Sequence, residues 1–197
     1  MENIDMHSDK NILREEIMNE AIEQFNKKGL KFTMDDLAGS LSISKKTLYK
    51  VFSDKEDLFF EMVDYCFDAI KESEQEILND PEMDIVEKIR RIIIVLPHRY
   101  KTIDFRKLIS LKEKFPSTYA KLEERLESDW EPTIMLLEQG IKEGRITPFS
   151  ISVLRAMVEG TIEHFLSRDI LLTEDISYQE ALEKMMDIIM EGIIAKS

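Results

Sequence analysis

Apolar residues recur at helical spacing along most of the chain. In the first segment Leu13, Ile17, Ala21 and Phe25 fall on one face, and Gly29 follows as a left-handed stop. No stretch alternates convincingly with the two-residue period of a strand. The pattern therefore predicts an all-α protein, with later helices near residues 83–96, 100–113, 117–142 and 151–170.

Helix starts are marked by Ser or Thr followed three residues later by an acidic residue, which is the capping-box pattern. The predicted boxes are Thr33 with Asp36, Ser53 with Glu56, and Ser177 with Glu180. Breaks are predicted at Asn79-Asp80-Pro81, Pro97, Phe115-Pro116, Gly144 and Thr147-Pro148.

Residues 33–55 have the pattern of a helix-turn-helix. A short helix begins at Thr33, a turn follows at Ser42-Ile43-Ser44, and Ser44 caps a third helix that runs to about Val51. The predicted inner face is small or apolar, as such a motif requires, and consists of Leu37, Ala38, Leu41, Ile43, Leu48 and Phe52. The residues left on or near the outer face are Lys45, Lys46, Thr47, Tyr49 and Lys50.

Charge sets this segment apart from the rest of the chain. The formal net charge is -13, yet residues 44–55 hold four lysines against one aspartate. A lysine cluster is usually a solvated helix face, but on the second helix of a helix-turn-helix it favours contact with DNA.

Composition and motifs exclude several other classes of protein. A single cysteine, Cys66, forms no internal disulfide, the N-terminus has no apolar leader, and the longest apolar run, Ile92 to Pro97, is too short to span a bilayer. A cytoplasmic protein is therefore expected. His98 and His164 lack companion ligands, so neither metal nor cofactor is expected, and no catalytic grouping supports an enzyme.

The segment from Ile12 to Leu58 resembles the TetR family of bacterial transcription regulators. The resemblance rests on Phe25, Gly29, Thr33, Asp36-Leu37-Ala38, Ser44 to Tyr49, Phe52 and Lys55 to Leu58. Two positions depart from the family pattern. Ser42 replaces the usual turn glycine, which implies some backbone strain, and Lys46 stands where Gly or Pro is common.

The resemblance implies roles for individual residues. Thr33, Tyr49 and Lys55 are expected to contact phosphate, and Lys45 and Thr47 to contact base edges or phosphate. Ser44, Lys46 and Lys50 are weaker assignments. Thr33 and Ser44 could equally serve only as helix caps, and Tyr49 could belong partly to the core.

The resemblance also implies a larger helical domain that binds a small molecule and dimerises. The division expected is residues 1–54 for DNA binding and 55–197 for effector binding and dimerisation. Two apolar stripes suggest a four-helix interface, and the alternative is that they form ordinary intramolecular core. The stripes consist of Ile151, Leu154, Val158, Ile162, Phe165, Leu182, Met185, Met186, Ile189 and Ile193.

A pocket for a largely apolar effector is expected among the middle helices. Each candidate could instead be ordinary core. The candidates are Met62, Phe67, Leu96, Tyr100, Phe105, Ile109, Phe115, Tyr119, Trp130, Ile134, Met135 and His164.

The sequence thus predicts a homodimeric, ligand-responsive transcriptional regulator, most simply a repressor, that binds a near-palindromic double-stranded operator and no membrane. Two alternatives stay open. One is a DNA-bound factor outside transcription, such as a nucleoid-occlusion division inhibitor. The other is a helical protein that binds a small molecule and has no DNA specificity.

Overall fold

A computed structural model describes residues 2–97, 100, 105–128 and 130–195; the side chains of residues 2–10, 105, 106 and 109 lie outside that description. The described chain is helical, and its only strand-like pairing is an isolated bridge between Ile146 and Ile194. The α-helices are α1 Glu2–Lys28, α2 Met34–Ser40, α3 Lys45–Tyr49, α4 Lys55–Asn79, α5 Ile85–Ile92, α6 Leu111–Lys114, α7 Pro116–Glu127, α8 Glu131–Lys142, α9 Ile151–Ser167, α10 Ile170–Thr173 and α11 Tyr178–Ile193. Within the described residues, 3-10 helices also span Gly29–Lys31 and Phe105–Ser110.

The first three helices follow the sequence prediction closely. Gly29 has φ 59° and ends α1, and Thr33 and Asp36 form the predicted capping box at the start of α2. Ser42 has φ 54°, so the expected backbone strain in the turn is present. Ser44 caps α3, which ends at Tyr49 rather than near Val51.

The start of α4 differs from the prediction by one residue. Asp54, not Ser53, is the N-cap, and its carboxylate accepts from the backbone N–H of Asp57 at 2.9 Å. The Asp57 carboxylate in turn accepts from the Ser53 backbone N–H at 2.8 Å. The predicted box of Ser53 with Glu56 is therefore wrong, because a carboxylate one residue later reaches the free N–H groups.

The later helices are shorter than the periodicity predicts. The single helix predicted over 117–142 is two helices, because the chain turns out of α7 at Ser128 and Pro132 lies in the first turn of α8. The segment predicted over 100–113 is, where it is described, a 3-10 helix followed by one turn of α-helix. At the last helix, the Ser177 hydroxyl accepts from the Glu180 N–H at 3.2 Å.

Buried apolar residues of the described chain form two clusters. The first joins the inner faces of α1–α4 to α7 and the start of α11, and includes Phe25, Leu48, Phe59 and Tyr119. The second joins α5, α8, α9 and α11. The first cluster contains Phe52 and Leu58, so one core spans the predicted domain division between residues 54 and 55.

The two stripes predicted as a dimer interface lie largely inside the subunit. Five of the predicted interface residues are buried in the core of the subunit: Leu154, Val158, Leu182, Met186 and Ile189. Those that are half-buried against the same clusters are Ile151, Ile162, Phe165, Met185 and Ile193. The interface prediction is corrected for the buried five, because a fully buried face cannot meet a partner. The opposite faces are exposed and apolar at Val153 (57%), Met157 (57%) and Ile188 (74%).

Candidate nucleic-acid interface and ligand cavity

The third helix is fixed by its cap and by one buried side chain. The Ser44 hydroxyl accepts from the Thr47 backbone N–H at 3.0 Å and lies 2.8 Å from the Thr47 hydroxyl. Leu48 is fully buried and holds the helix against the core. The sequence prediction that Leu48 points inward is therefore confirmed, and it fixes which side of α3 faces outward.

The outward side of α3 is basic and aromatic. Lys46 and Lys50 are exposed, Thr47 is half-buried, and Tyr49 exposes 47% of its surface. These side chains lie together on one end of the molecule, beside the exposed Ser44 and Lys45. Such a surface can present donors and cations to phosphate and to base edges.

Lys45 forms an ion pair that the sequence analysis did not anticipate. Its ammonium lies 2.6 Å from the Asp35 carboxylate in the first turn of α2. The hydrogen bond that Lys45 donates to the Asp35 carboxylate raises the pKa of Lys45. The pair is exposed, so water and a phosphate can compete for the ammonium.

Thr33 acts as a helix cap in this structure. Its hydroxyl accepts from the Asp36 N–H at 3.1 Å, and its own N–H donates to the Asp36 carboxylate at 2.8 Å. The pKa of Asp36 is lowered to about 2, mainly by that backbone hydrogen bond and next by the hydrogen bond from the Lys28 side chain. Thr33 nevertheless stays exposed beside α3, so capping leaves its surface open.

Lys55 is placed differently from the expectation of a phosphate contact. Its ammonium donates to the carbonyl of Leu30 at 2.8 Å and to that of Phe32, and it lies 4.4 Å from the centre of the Phe32 ring. Burial is the main cause that lowers the pKa of Lys55, and the positive charge of the nearby Lys114 lowers it further. The structure corrects the expected role, because this side chain turns inward and joins α4 to the turn before α2.

Residues 17–62 match the family of bacterial regulatory proteins described as tetR family. The match covers the helix-turn-helix and the start of α4. Over this segment the chain carries the DNA-binding domain of the TetR family. It is a DNA-binding transcriptional regulator, as its residue pattern indicates.

The similarity to curated relatives extends beyond the DNA-binding segment. The HTH-type transcriptional regulator YvaF of Bacillus subtilis is 27% identical over 179 residues, which cover 91% of this chain and 94% of that protein. The nucleoid occlusion factor SlmA of Vibrio campbellii is 26% identical over 156 residues, covering 76% and 77%. The transcriptional regulator FadR of Bacillus subtilis, solved with stearoyl-CoA, shares the fold at 18% identity, with a TM-score of 0.58 and coverage of 89% and 95%.

A cavity of about 190 Å³ lies between α4, α7 and the segment after α5. Five of the predicted lining residues border it: Met62, Phe67, Leu96, Tyr100 and Trp130. A wider groove of about 470 Å³ lies on the other side of Ile94, Val95 and Leu96, which border both spaces. The walls of the cavity are mostly apolar, which suits an apolar ligand.

Several predicted lining residues lie elsewhere. Phe115 stacks on Phe59 with ring centres 5.5 Å apart, and Tyr119 is core. Ile134 does not border the cavity, and Met135 and His164 are exposed. Periodicity places such residues on helices but does not decide which face meets a cavity. The side chains of Phe105 and Ile109, and the whole of His98, lie outside the described residues.

The cavity also has a polar wall that the sequence analysis missed. Thr118 and Arg125 border it from α7, and Lys71 borders it from α4, paired with Glu74 at 2.9 Å. The spacing of Thr118, Leu122 and Arg125 places all three on one face of a helix, and this pattern could have predicted the polar wall. Among the described residues no group of three or more metal-binding side chains occurs, and no described helix is long and apolar enough to cross a membrane.

Proposed function

We propose that this protein is a homodimeric repressor that binds a near-palindromic operator and releases it when a small molecule enters the cavity. The observation that carries the proposal is the outward face of α3, where Lys46, Tyr49 and Lys50 are exposed on a helix fixed by Ser44 and Leu48. Two such helices, about 34–36 Å apart, match one turn of DNA.

The DNA contacts divide by position. Lys46, Lys50 and Tyr49 contact phosphates at the groove wall, together with Thr33 and the exposed N-terminal end of α3 at Ser44. Lys45 and Thr47 lie at the start of α3, where a recognition helix meets base edges. Lys45 exchanges Asp35 for DNA on binding. Lys55 contributes indirectly, because it holds the turn that precedes Thr33.

The dimer forms through the exposed faces of α9 and α11. Val153 and Met157 are four residues apart on α9, and Ile188 lies on α11. Both helices also contribute buried residues to the same core cluster, which holds them in one subunit while these side chains stay exposed. Burial of these side chains in a partner removes apolar surface from water.

The effector signal reaches the DNA-binding helices through an aromatic cluster. Phe25 and Phe59 border the cavity. The Phe59 ring lies 6.0 Å from Phe25 and 5.6 Å from Phe32, the residue before the cap of α2. A ligand that moves Phe59, and with it α4, changes the position of α2. The ligand weakens operator binding only by its differential affinity for the two states.

The test is binding selection from random double-stranded DNA with the full-length protein. We expect enrichment of one near-palindromic sequence. Replacing Lys46 or Lys50 with Ala should lower its affinity and make the dependence on salt less steep by about one phosphate each. Lys142→Ala, a lysine at the end of α8, is the control. Failure to enrich any sequence would contradict the proposal and favour a helical ligand-binding protein without DNA specificity.

A DNA-bound role outside transcription is the second candidate. The observation that favours it is the similarity to SlmA, which is named a nucleoid occlusion factor and is 26% identical over 156 residues. Mapping of bound sites in the genome separates the two roles. Sites at promoters support regulation of transcription, whereas sites spread across the chromosome away from promoters support the second role.

The proposed regulator acts in the cytoplasm, where its operator is found, and catalyses no reaction. Support comes from its relatives, which are named as transcription regulators and a nucleoid occlusion factor. Incubation of the effector with the protein should return the effector unchanged.

A further inference from the structure

We infer that the cavity binds an electrically neutral, mostly apolar molecule that carries a carbonyl-type oxygen, and that the Thr118 hydroxyl donates a hydrogen bond to that oxygen. This inference rests on the proposed function for its biological meaning, because it names the class of effector. Its evidence is the chemistry of the cavity wall.

Thr118 is the first part of that evidence. It is 0% exposed and borders the cavity, and its hydroxyl has no hydrogen-bond partner within the described part of the chain. A buried hydroxyl without a partner destabilises a protein unless something satisfies it. A ligand oxygen in the cavity would supply the missing partner.

Arg125 gives the second observation. Its Nε is buried and unpartnered among the described residues, although its two terminal nitrogens lie 3.3 Å from Asp64 and 3.4 Å from Asp68. Because Nε can only donate, the group that it lacks is an acceptor. Thr118 and Arg125 lie seven residues apart on α7, about 10 Å along the helix, so the wall has a donor at each end of an apolar stretch.

Charge decides between a neutral ligand and an anion. Each cation on the wall already has a carboxylate, since Lys71 pairs with Glu74 and Arg125 with Asp64 and Asp68. A ligand carboxylate would enter an apolar space with no uncompensated cation to receive it, which costs free energy. A carbonyl oxygen carries no such cost.

Size is compatible with a small organic molecule. An apolar cavity of about 150 Å³ accommodates benzene, and this cavity measures about 190 Å³. Three probes of nearly equal shape are therefore suitable: acetophenone, isopropylbenzene and benzoate. They differ in having a carbonyl oxygen, no oxygen, or a negative charge.

The experiment measures the affinity of the full-length protein for each probe by isothermal titration calorimetry. We expect acetophenone to bind and benzoate to bind at least about tenfold more weakly. In Thr118→Val the affinity ratio of acetophenone to isopropylbenzene should fall about fivefold, because only the ketone loses a hydrogen bond. Thr118→Ser, which keeps the hydroxyl, should preserve the ratio. Thr173→Val, at an exposed position of α10, is the matched control.

Three results would overturn the inference. These are tighter binding of benzoate than of acetophenone, an unchanged ratio in Thr118→Val, and no binding of any probe up to its solubility limit. Selection of an operator in the absence of ligand distinguishes a failure of the effector assignment from a failure of the proposed function. If an operator is found and the probes fail, only the effector class is wrong. If the probes behave as expected and no operator is found, the cavity assignment stands and the regulatory role fails.

Discussion

The Lys107 ammonium donates to the backbone carbonyl of Asn26 in the last turn of α1. The stem of the same side chain lies against Gly29, where an added Cβ would be 3.6 Å from Lys107 Cδ. Lys107 belongs to the 3-10 helix that also supplies Leu108 to the cavity wall. The Lys107 side chain thus joins the 3-10 helix at the cavity wall to the C-terminal end of α1.

We expect Lys107→Met to loosen this junction. The substitution keeps the apolar stem and removes a charge-assisted hydrogen bond, so the free energy of unfolding should fall by about 1–2 kcal/mol. Hydrogen exchange should speed up selectively at the amides near residues 29–32. Lys142→Met, at an exposed site, is the control. Equal exchange in both variants would show that Lys107 does not hold the end of α1.

Asp35 competes with DNA for Lys45, so Asp35→Asn should strengthen operator binding. Loss of the 2.6 Å ion pair frees the ammonium and removes an anion beside the phosphates. At low salt we expect affinity to rise about fivefold, and the gain to shrink as salt increases. Glu138→Gln, an equal charge change at an exposed position of α8, controls for net charge. A fall in affinity would mean instead that Asp35 positions Lys45 for base contact.

Asp36 makes the helix-turn-helix sensitive to acid. Its folded pKa, about 2, lies below the ordinary value of 3.8, so the ionised carboxylate stabilises the folded state above about pH 4. That stabilisation is lost as the pH falls from about 4 to 2. The melting temperature, followed by circular dichroism, should therefore drop less steeply across this range in Asp36→Asn than in the wild type. Parallel curves would show that the cap does not depend on charge.

Ile188→Asp should dissociate the proposed dimer without unfolding the subunit. Ile188 is 74% exposed in the isolated subunit, so the charge costs little there, but at an interface it would be buried without a partner. The dimer dissociation constant, measured by analytical ultracentrifugation, should rise at least about tenfold. Ile12→Asp, an exposed site on α1, is the control. An unchanged mass would place the dimer interface elsewhere.

Ser42→Gly should stabilise the protein. Ser42 has φ 54°, a conformation that costs a residue with a side chain more than it costs glycine. We expect a gain of about 0.5–1 kcal/mol in the free energy of unfolding. Ser152→Gly, at an exposed position inside α9, should instead lower stability by a similar amount. Loss of stability in Ser42→Gly would mean that the hydroxyl has a structural role in the turn.

The DNA-binding segment could be predicted from the sequence because its determinants are local. Thr33 caps α2 together with Asp36, and Ser44 caps α3 by accepting from Thr47, so each cap uses a partner three residues away. Gly29 ends α1 through its own backbone conformation. The family resemblance rests on the same residues. The one local error, the cap of α4, arose because Ser53 and Asp54 both fit the pattern and only geometry chose between them.

Tertiary structure decided what each apolar helix face meets. The sequence places Leu154 and Val158 on an apolar stripe, but only packing shows that they meet the subunit's own core while Val153 and Met157 face outward. Packing likewise turned Lys55 inward and buried the Thr118 hydroxyl at a cavity, where no described residue is its hydrogen-bond partner. Periodicity fixes the direction of a side chain relative to its own helix axis. Which neighbour lies in that direction depends on contacts between residues far apart in the chain, and no local pattern records them.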